Sequence, residues 1–379
     1  MLFSRSLFKL SCKISRKTVS IALVLVMLIF PMFFTNSQAQ TPQNLYLNRV
    51  GFLNIEVGYD VHVVGNYAYV TNNDGLMIID IQDPSNPQKV GEVLSGGTLG
   101  FEIESNIAYI ASVTGGFVIS NVSNPSNPQL LGQDSVGGAI RIAISGSRAY
   151  VTYFGGGFKI FNISDLMNPV FLGEYSDTRS DAIETKDNFV YFANAEVGLK
   201  VINVSNPSSP QLVTTVSQTG GANDIHITND TLYLGCWGAG IRVIDISDPT
   251  SPLMLDSYVD SDGGEELGLV EKEGLLYVAD NSGVELFNVS DTTSIVEIAE
   301  RTSDVNAAHD IDVDEEYLYV ALGGGLLILE VSSTPETDDS EFLFYLIIIL
   351  GVSATIAIIS SAVYLKILKP RKRKKQSSS

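Results

Sequence analysis

An all-β fold, a seven-bladed β-propeller closed by an N-terminal strand and followed by one C-terminal transmembrane helix, is predicted by three features of the sequence. Seven tandem units fill residues 40–332, each reading as four short strands with no helical periodicity. The seventh unit stops after its third strand, and an orphan strand precedes the first unit. A charge-free run of 24 residues, 342–365, is followed at once by a basic tail.

The chain starts as an export signal, residues 1–39. Arg5, Lys9, Lys13, Arg16 and Lys17 precede an apolar run from Ile21 to Phe34, and Ser37 and Ala39 supply the small residues of a cleavage site. The orphan strand follows, within residues 44–57. Its Leu47-Asn-Arg-Val-Gly-Phe matches Pro87-Gln-Lys-Val-Gly-Glu at the fourth strand of the first unit. A strand supplied from the N-terminus to the last unit closes the ring and leaves no open sheet edge.

The units are marked by Tyr69, Tyr109, Tyr150, Tyr191, Tyr233, Tyr277 and Tyr319, at steps of 40, 41, 41, 42, 44 and 42 residues. Six or seven residues later comes a glycine, Gly75, Gly116, Gly157, Gly198, Gly240, Gly283 or Gly325, expected to supply positive φ in a hairpin. An apolar third strand follows, as in LMIIDI and IRVIDI. Then comes an Asx residue (Asp83, Asn124, Asp165, Asn206, Asp248, Asp291), joined in five units by a proline four residues on, which reads as a stiff turn.

The strings LMIIDIQDPSNP and IRVIDISDPTSP resemble the LVIVD repeat, found in bacterial and archaeal surface proteins. The resemblance covers about residues 44–332 and implies a propeller displayed on a cell surface. It implies little about activity. The sixth unit departs from it, with DTTSIV in place of the double-proline turn.

Beyond the repeat, residues 333–341 form an acidic linker. The run 342–365 would span about 36 Å as a helix, enough for a hydrocarbon core of about 30 Å. Lys366 to Lys375 mark residues 366–379 as a cytoplasmic tail, which puts the propeller outside as a single-pass membrane protein. The exterior portion then holds 11 basic against 43 acidic residues, a net charge of −32. Nucleic acid and anionic lipid surfaces are poor partners for such a domain. Cys236 is the only cysteine outside the signal, so no internal disulfide is available, and it reads as a core thiol beside Trp237.

Candidate sites are few. Asn121, Asn162, Asn203, Asn229 and Asn288 begin glycosylation sequons, four of them in a repeat column that elsewhere holds Asp80, Asp245 and Glu330. The acidic runs at Asp260 and Asp312 lack the spacing of a calcium loop. One column stands out. Seven residues before each tyrosine, on the inner strand, lie His62, Glu102, Ala143, Glu184, His226, Val270 and Asp312. Their neighbours eight residues back are all apolar, so strand alternation turns this column toward the channel. Asp60, Arg141, Asp224 and Asp310 share its face.

Histidines and carboxylates converging on an axis make His62, Glu102, Glu184, His226 and Asp312 a candidate binding site, with His62 and His226 as candidate ligands of a divalent cation. No compact catalytic signature occurs. The expected function is a membrane-anchored extracellular binding, adhesion or scaffold module with a protein or glycan partner. A lactonase-like hydrolase using a channel metal and a structural surface-layer component are the alternatives.

Overall fold

The computed structural model describes residues 45–335, apart from 179–181, 195, 218–220, 260–267, 303, 304 and 306. The expected signal, transmembrane run and basic tail lie outside the described residues, as does most of the acidic linker. No helix among the described residues is long and apolar enough to cross a membrane.

The strands form seven four-stranded antiparallel sheets, and six of them are consecutive in sequence. Blade 1 runs outward from the channel as Val61–Val64, Tyr67–Thr71, Gly75–Asp80 and Gln88–Leu94. The inner strands of blades 2 to 7 are Thr98–Glu104, Ala139–Ser145, Ala182–Lys186, Gly221–Thr228, Gly268–Lys272 and Ala308–Val313. Blade 7 is completed from the other end of the chain, with Tyr46–Asn54 pairing antiparallel to Gly325–Ser332.

The closing strand reproduces a detail of the ordinary blades. In blades 1 to 6 the pairing of third and fourth strands slips by one residue, as between Ile78↔Gly91 and Ile79↔Lys89. Tyr46–Asn54 slips at the same place, between Arg49 and Gly51. Such a bulge bends and twists the outer strand. It also sets Gly91 so that a Cβ would lie 1.8 Å from the carbonyl oxygen of Pro125 in the next blade, while one on Gly51 would lie 1.9 Å from that of Pro84. The last blade thus meets the first as the first meets the second.

The core is divided among the blade junctions. Each of seven apolar clusters spans two consecutive blades, including one that joins Val61, Val70 and Ile79 of blade 1 to Tyr319, Ala321 and Ile328 of blade 7. All seven marker tyrosines are buried. Stability comes from this large apolar contact, and the Cys236 thiol is free and itself buried.

One expectation about turns needs correction, and another is sharpened. Gly283 and Gly325 do not take the positive φ seen at Gly75, Gly116, Gly157, Gly198 and Gly240. They are small for lack of space: a Cβ would lie 2.5 Å from the Arg301 carbonyl oxygen or 2.4 Å from the Phe52 ring. Proline is also dispensable in the turn between third and fourth strands. Without it, Ser294 N–H still donates to the Asp291 carbonyl at 3.0 Å, as Asn86 N–H does to that of Asp83 at 2.9 Å. The Asx side chain carries the turn.

Candidate binding cavity

In every blade the residue seven before the marker tyrosine is its direct cross-strand partner: His62↔Tyr69, Glu102↔Tyr109, Ala143↔Tyr150, Glu184↔Tyr191, His226↔Tyr233, Val270↔Tyr277 and Asp312↔Tyr319. The neighbouring apolar column, from Val61 to Ile311, is buried throughout. His62, Glu102, Glu184, His226 and Asp312 therefore come to one cavity of about 930 Å3. Asp60, Arg141, Asp224 and Asp310 line it too. They sit two residues nearer the start of their strands, about 6–7 Å along the axis. The carboxylates thus form two tiers.

Part of this column has a structural task. Asp310 Oδ2 accepts the Val61 N–H at 2.9 Å, Asp60 Oδ2 the Phe101 N–H at 3.2 Å, and Asp224 Oδ2 the Leu269 N–H at 3.0 Å. Asp312 Oδ2 accepts the Val63 N–H at 2.6 Å. Each bond ties one blade to the inner strand of the next. Arg141 works in the reverse direction, its guanidinium donating to the Leu99 carbonyl of blade 2. Left unpaired, a buried amide costs about 1–3 kcal/mol, so these groups hold the ring as well as line it.

His62 and His226 both line the cavity. They stand on blades 1 and 5. Among the described residues no group of three or more His, Cys, Asp or Glu side chains could hold a metal ion. His226 Nε2 is 3.1 Å from the Thr228 hydroxyl, and burial lowers its pKa. His62 lies edge-on to Phe101 with centroids 4.9 Å apart, and its Nε2 is 3.9 Å from Asp60 Oδ1.

Too many carboxylates face too few cations here. Burial disfavours the charged His62, but the fields of Glu102, Asp60, Asp312 and Glu184 outweigh it and raise the pKa to about 9. Water in the channel reaches 38% of that side chain, which tempers the energetic weight of the shift. Burial pushes Glu102 up to about 7 against the pull of His62. Burial and then the charge of Glu102 push Glu184 to about 8. Asp224 rises to about 7, again chiefly by burial. Asp310 is raised by burial, by the charge of Asp60 and by a side-chain hydrogen bond to Asp60, a contact that joins blades 7 and 1.

The cavity holds residues that periodicity did not single out. His309, the third and last histidine of the chain, lines it one residue before Asp310. Its Nδ1 is 2.6 Å from the Gly58 carbonyl oxygen, and its ring stacks on Tyr59 at 5.7 Å. Phe154 and Trp237 also reach the cavity, each at the far end of a second strand and beside the start of an inner one. They mark the mouth, on the face bearing the hairpins between second and third strands, and are 63% and 38% exposed.

The remaining candidates disperse. The sequon residues Asn121, Asn162, Asn203 and Asn288 each accept the backbone N–H two residues on, as Asp80 and Asp245 do. Asn and Asp interchange there because only the oxygen is used. Asn229 takes φ 53 in the turn between the inner and second strands of blade 5. Asp314, in the second acidic run, accepts from Glu316, Tyr317 and Tyr319. The run 260–266 lies outside the described residues.

A family model of the LVIVD repeat matches residues 58–95, 96–133, 136–177, 179–218, 219–260 and 307–335, more than half of the chain. No curated protein matches. The fold resembles the crystal structure of the WD40 β-propeller domain of Doa1, with a TM-score of 0.60 and 12% identity over 76% of this chain and 97% of that one. It also resembles that of the computationally designed Ika8 protein, with a TM-score of 0.55 and 10% identity over 75% of this chain and 99% of that one.

Proposed function

Because the chain belongs to the LVIVD-repeat family and its repeats close into a rigid propeller, we propose that it is an extracellular binding module, tethered to the membrane, whose ligand seat is the channel. The observation that carries this reading is the cavity of about 930 Å3, lined by all three histidines and by carboxylates of five blades. Its size is that of a small-molecule site. The aromatics at its mouth, at the ends of second strands, stand on a scaffold that the inter-blade hydrogen bonds stiffen.

The path of the chain sets which way the mouth would face on such a tether. Strand Gly325–Ser332 runs away from the hairpin face, so the chain leaves the propeller on the side opposite the mouth. With residues 342–365 in the membrane, the mouth looks outward. The hydrolase alternative lacks a gathered metal-ligand set among the described residues.

Native mass spectrometry of the full chain, released gently from its own membranes, tests the reading. A small molecule retained by the wild type and lost from His62→Ala/His226→Ala supports it. A bare chain mass, with no melting shift across a chemically diverse ligand set, favours the scaffold alternative instead. Protease digestion of intact cells tests the orientation, since an external propeller is cleaved and the basic tail is protected.

A further inference from the structure

The geometry points to a small aliphatic polyamine as the occupant of the channel: carboxylates in two tiers would take its separated ammonium groups, and aromatics at the mouth would take the end of the chain. This rests on the channel being the ligand seat. Asp60, Asp224 and Asp310 form the tier nearer the mouth, and Glu102, Glu184 and Asp312 the deeper one. Against these six carboxyl groups the wall sets Arg141 and the imidazoles of His62, His226 and His309. Arg141 is already engaged with Leu99.

Size and spacing decide among cations. The carboxylates are spread over blades 1, 2, 4, 5 and 7, and among the described residues no three or more are close enough for a metal ion. A cavity of about 930 Å3 is far larger than one ion needs. The tiers are about 6–7 Å apart, a separation that a flexible chain of methylenes between amines can bridge. Tyr59, Phe154 and Trp237 offer ring faces at the mouth, where an ammonium group is attracted to the π-electrons.

The wall is also short of cations, with six carboxyl groups against one arginine and three imidazoles. Burial raises Glu102, Glu184, Asp224 and Asp310 above the ordinary carboxylate range, so these groups keep protons to higher pH. An entering polyamine replaces those protons, so binding releases them and tightens as pH rises. Glu102 and Glu184 make none of the inter-blade bonds, so their amides are the informative substitutions.

The test is isothermal titration calorimetry of the full chain with spermidine, repeated in two buffers of different ionisation heat. Maltotriose and calcium chloride are titrated in parallel. The expected result is one spermidine per chain, net proton release in the wild type, and affinity weaker by about tenfold or more in Glu102→Gln/Glu184→Gln. Proton release needs no variant, so a misfolded double variant does not blunt the test. No spermidine heat at millimolar concentration overturns the assignment, as does affinity unchanged in a folded double variant. Maltotriose or calcium bound in its place, and lost with Trp237→Ala or Glu102→Gln, overturns the polyamine while keeping the channel as a seat. Native mass spectra and a ligand screen that both come up empty overturn the seat itself.

Discussion

Asp310 Oδ2 accepts the backbone N–H of Val61 at 2.9 Å, joining the last repeat to the first across 249 residues of sequence. The same contact recurs from Asp60 to Phe101 and from Asp224 to Leu269, so ring closure and blade-to-blade cohesion use one device. Asp310→Ala leaves the Val61 amide unpaired in the interior. It should lower unfolding free energy in urea by about 1–3 kcal/mol. Asp310→Asn keeps an acceptor oxygen and should cost less.

Closure has a second signature in Gly51. A Cβ there would lie 1.9 Å from the Pro84 carbonyl oxygen, and one on Gly91 would lie 1.8 Å from that of Pro125. Gly51→Ala and Gly91→Ala should therefore destabilise the protein alike, each by about 1–3 kcal/mol from overpacking. A thermal melt in which Gly51→Ala is silent and Gly91→Ala is not would mean that the N-terminal strand is not seated.

Seven blades, the closing strand and the channel column were legible because a fixed repeat length fixes register. Once Tyr69 and Tyr319 are aligned, His62 and Asp312 follow at the same offset, and the pairing puts them there. The inter-blade bonds were not legible, because Asp310 finds its partner at the start of a different repeat. His309 precedes the column and interrupts the inner-strand pairing, so no periodicity marks it. Trp237 is the last residue of its second strand and Phe154 lies just beyond its own, where repeats are free to differ.

Stability should fall as pH rises from the ordinary carboxylate range toward alkaline values. Glu102, Glu184 and Asp224, raised to about 7, about 8 and about 7, keep protons in the folded chain that the unfolded chain has lost. His62, raised to about 9, acts in the same sense: its stabilisation is complete below 6.5 and is lost as pH climbs through about 9. The melting temperature should be highest near about pH 5 and decline by pH 9. Glu102→Gln/Glu184→Gln should flatten the decline, since it removes two of the carboxyls and part of the field on His62. A melting temperature that rises over this window would contradict the electrostatic account.

The Asx column should tolerate exchange of Asn for Asp. Asn203 Oδ1 accepts the Ser205 N–H at 2.9 Å, and Asp245 Oδ1 accepts that of Ser247 at 2.8 Å. Asn203→Asp should leave the melt unchanged, whereas Asn203→Ala should cost about 0.5–1.5 kcal/mol. Equal loss in both variants would show that the amide nitrogen matters, as it would for an attached glycan.

Whether the channel is a ligand seat is tested most directly by a crystal structure of the chain grown with saturating spermidine. The account predicts continuous density along the channel, within hydrogen-bonding distance of Glu102 and Glu184 and ending near Trp237. Water alone in the channel, with spermidine absent or confined to the outer surface, would contradict it.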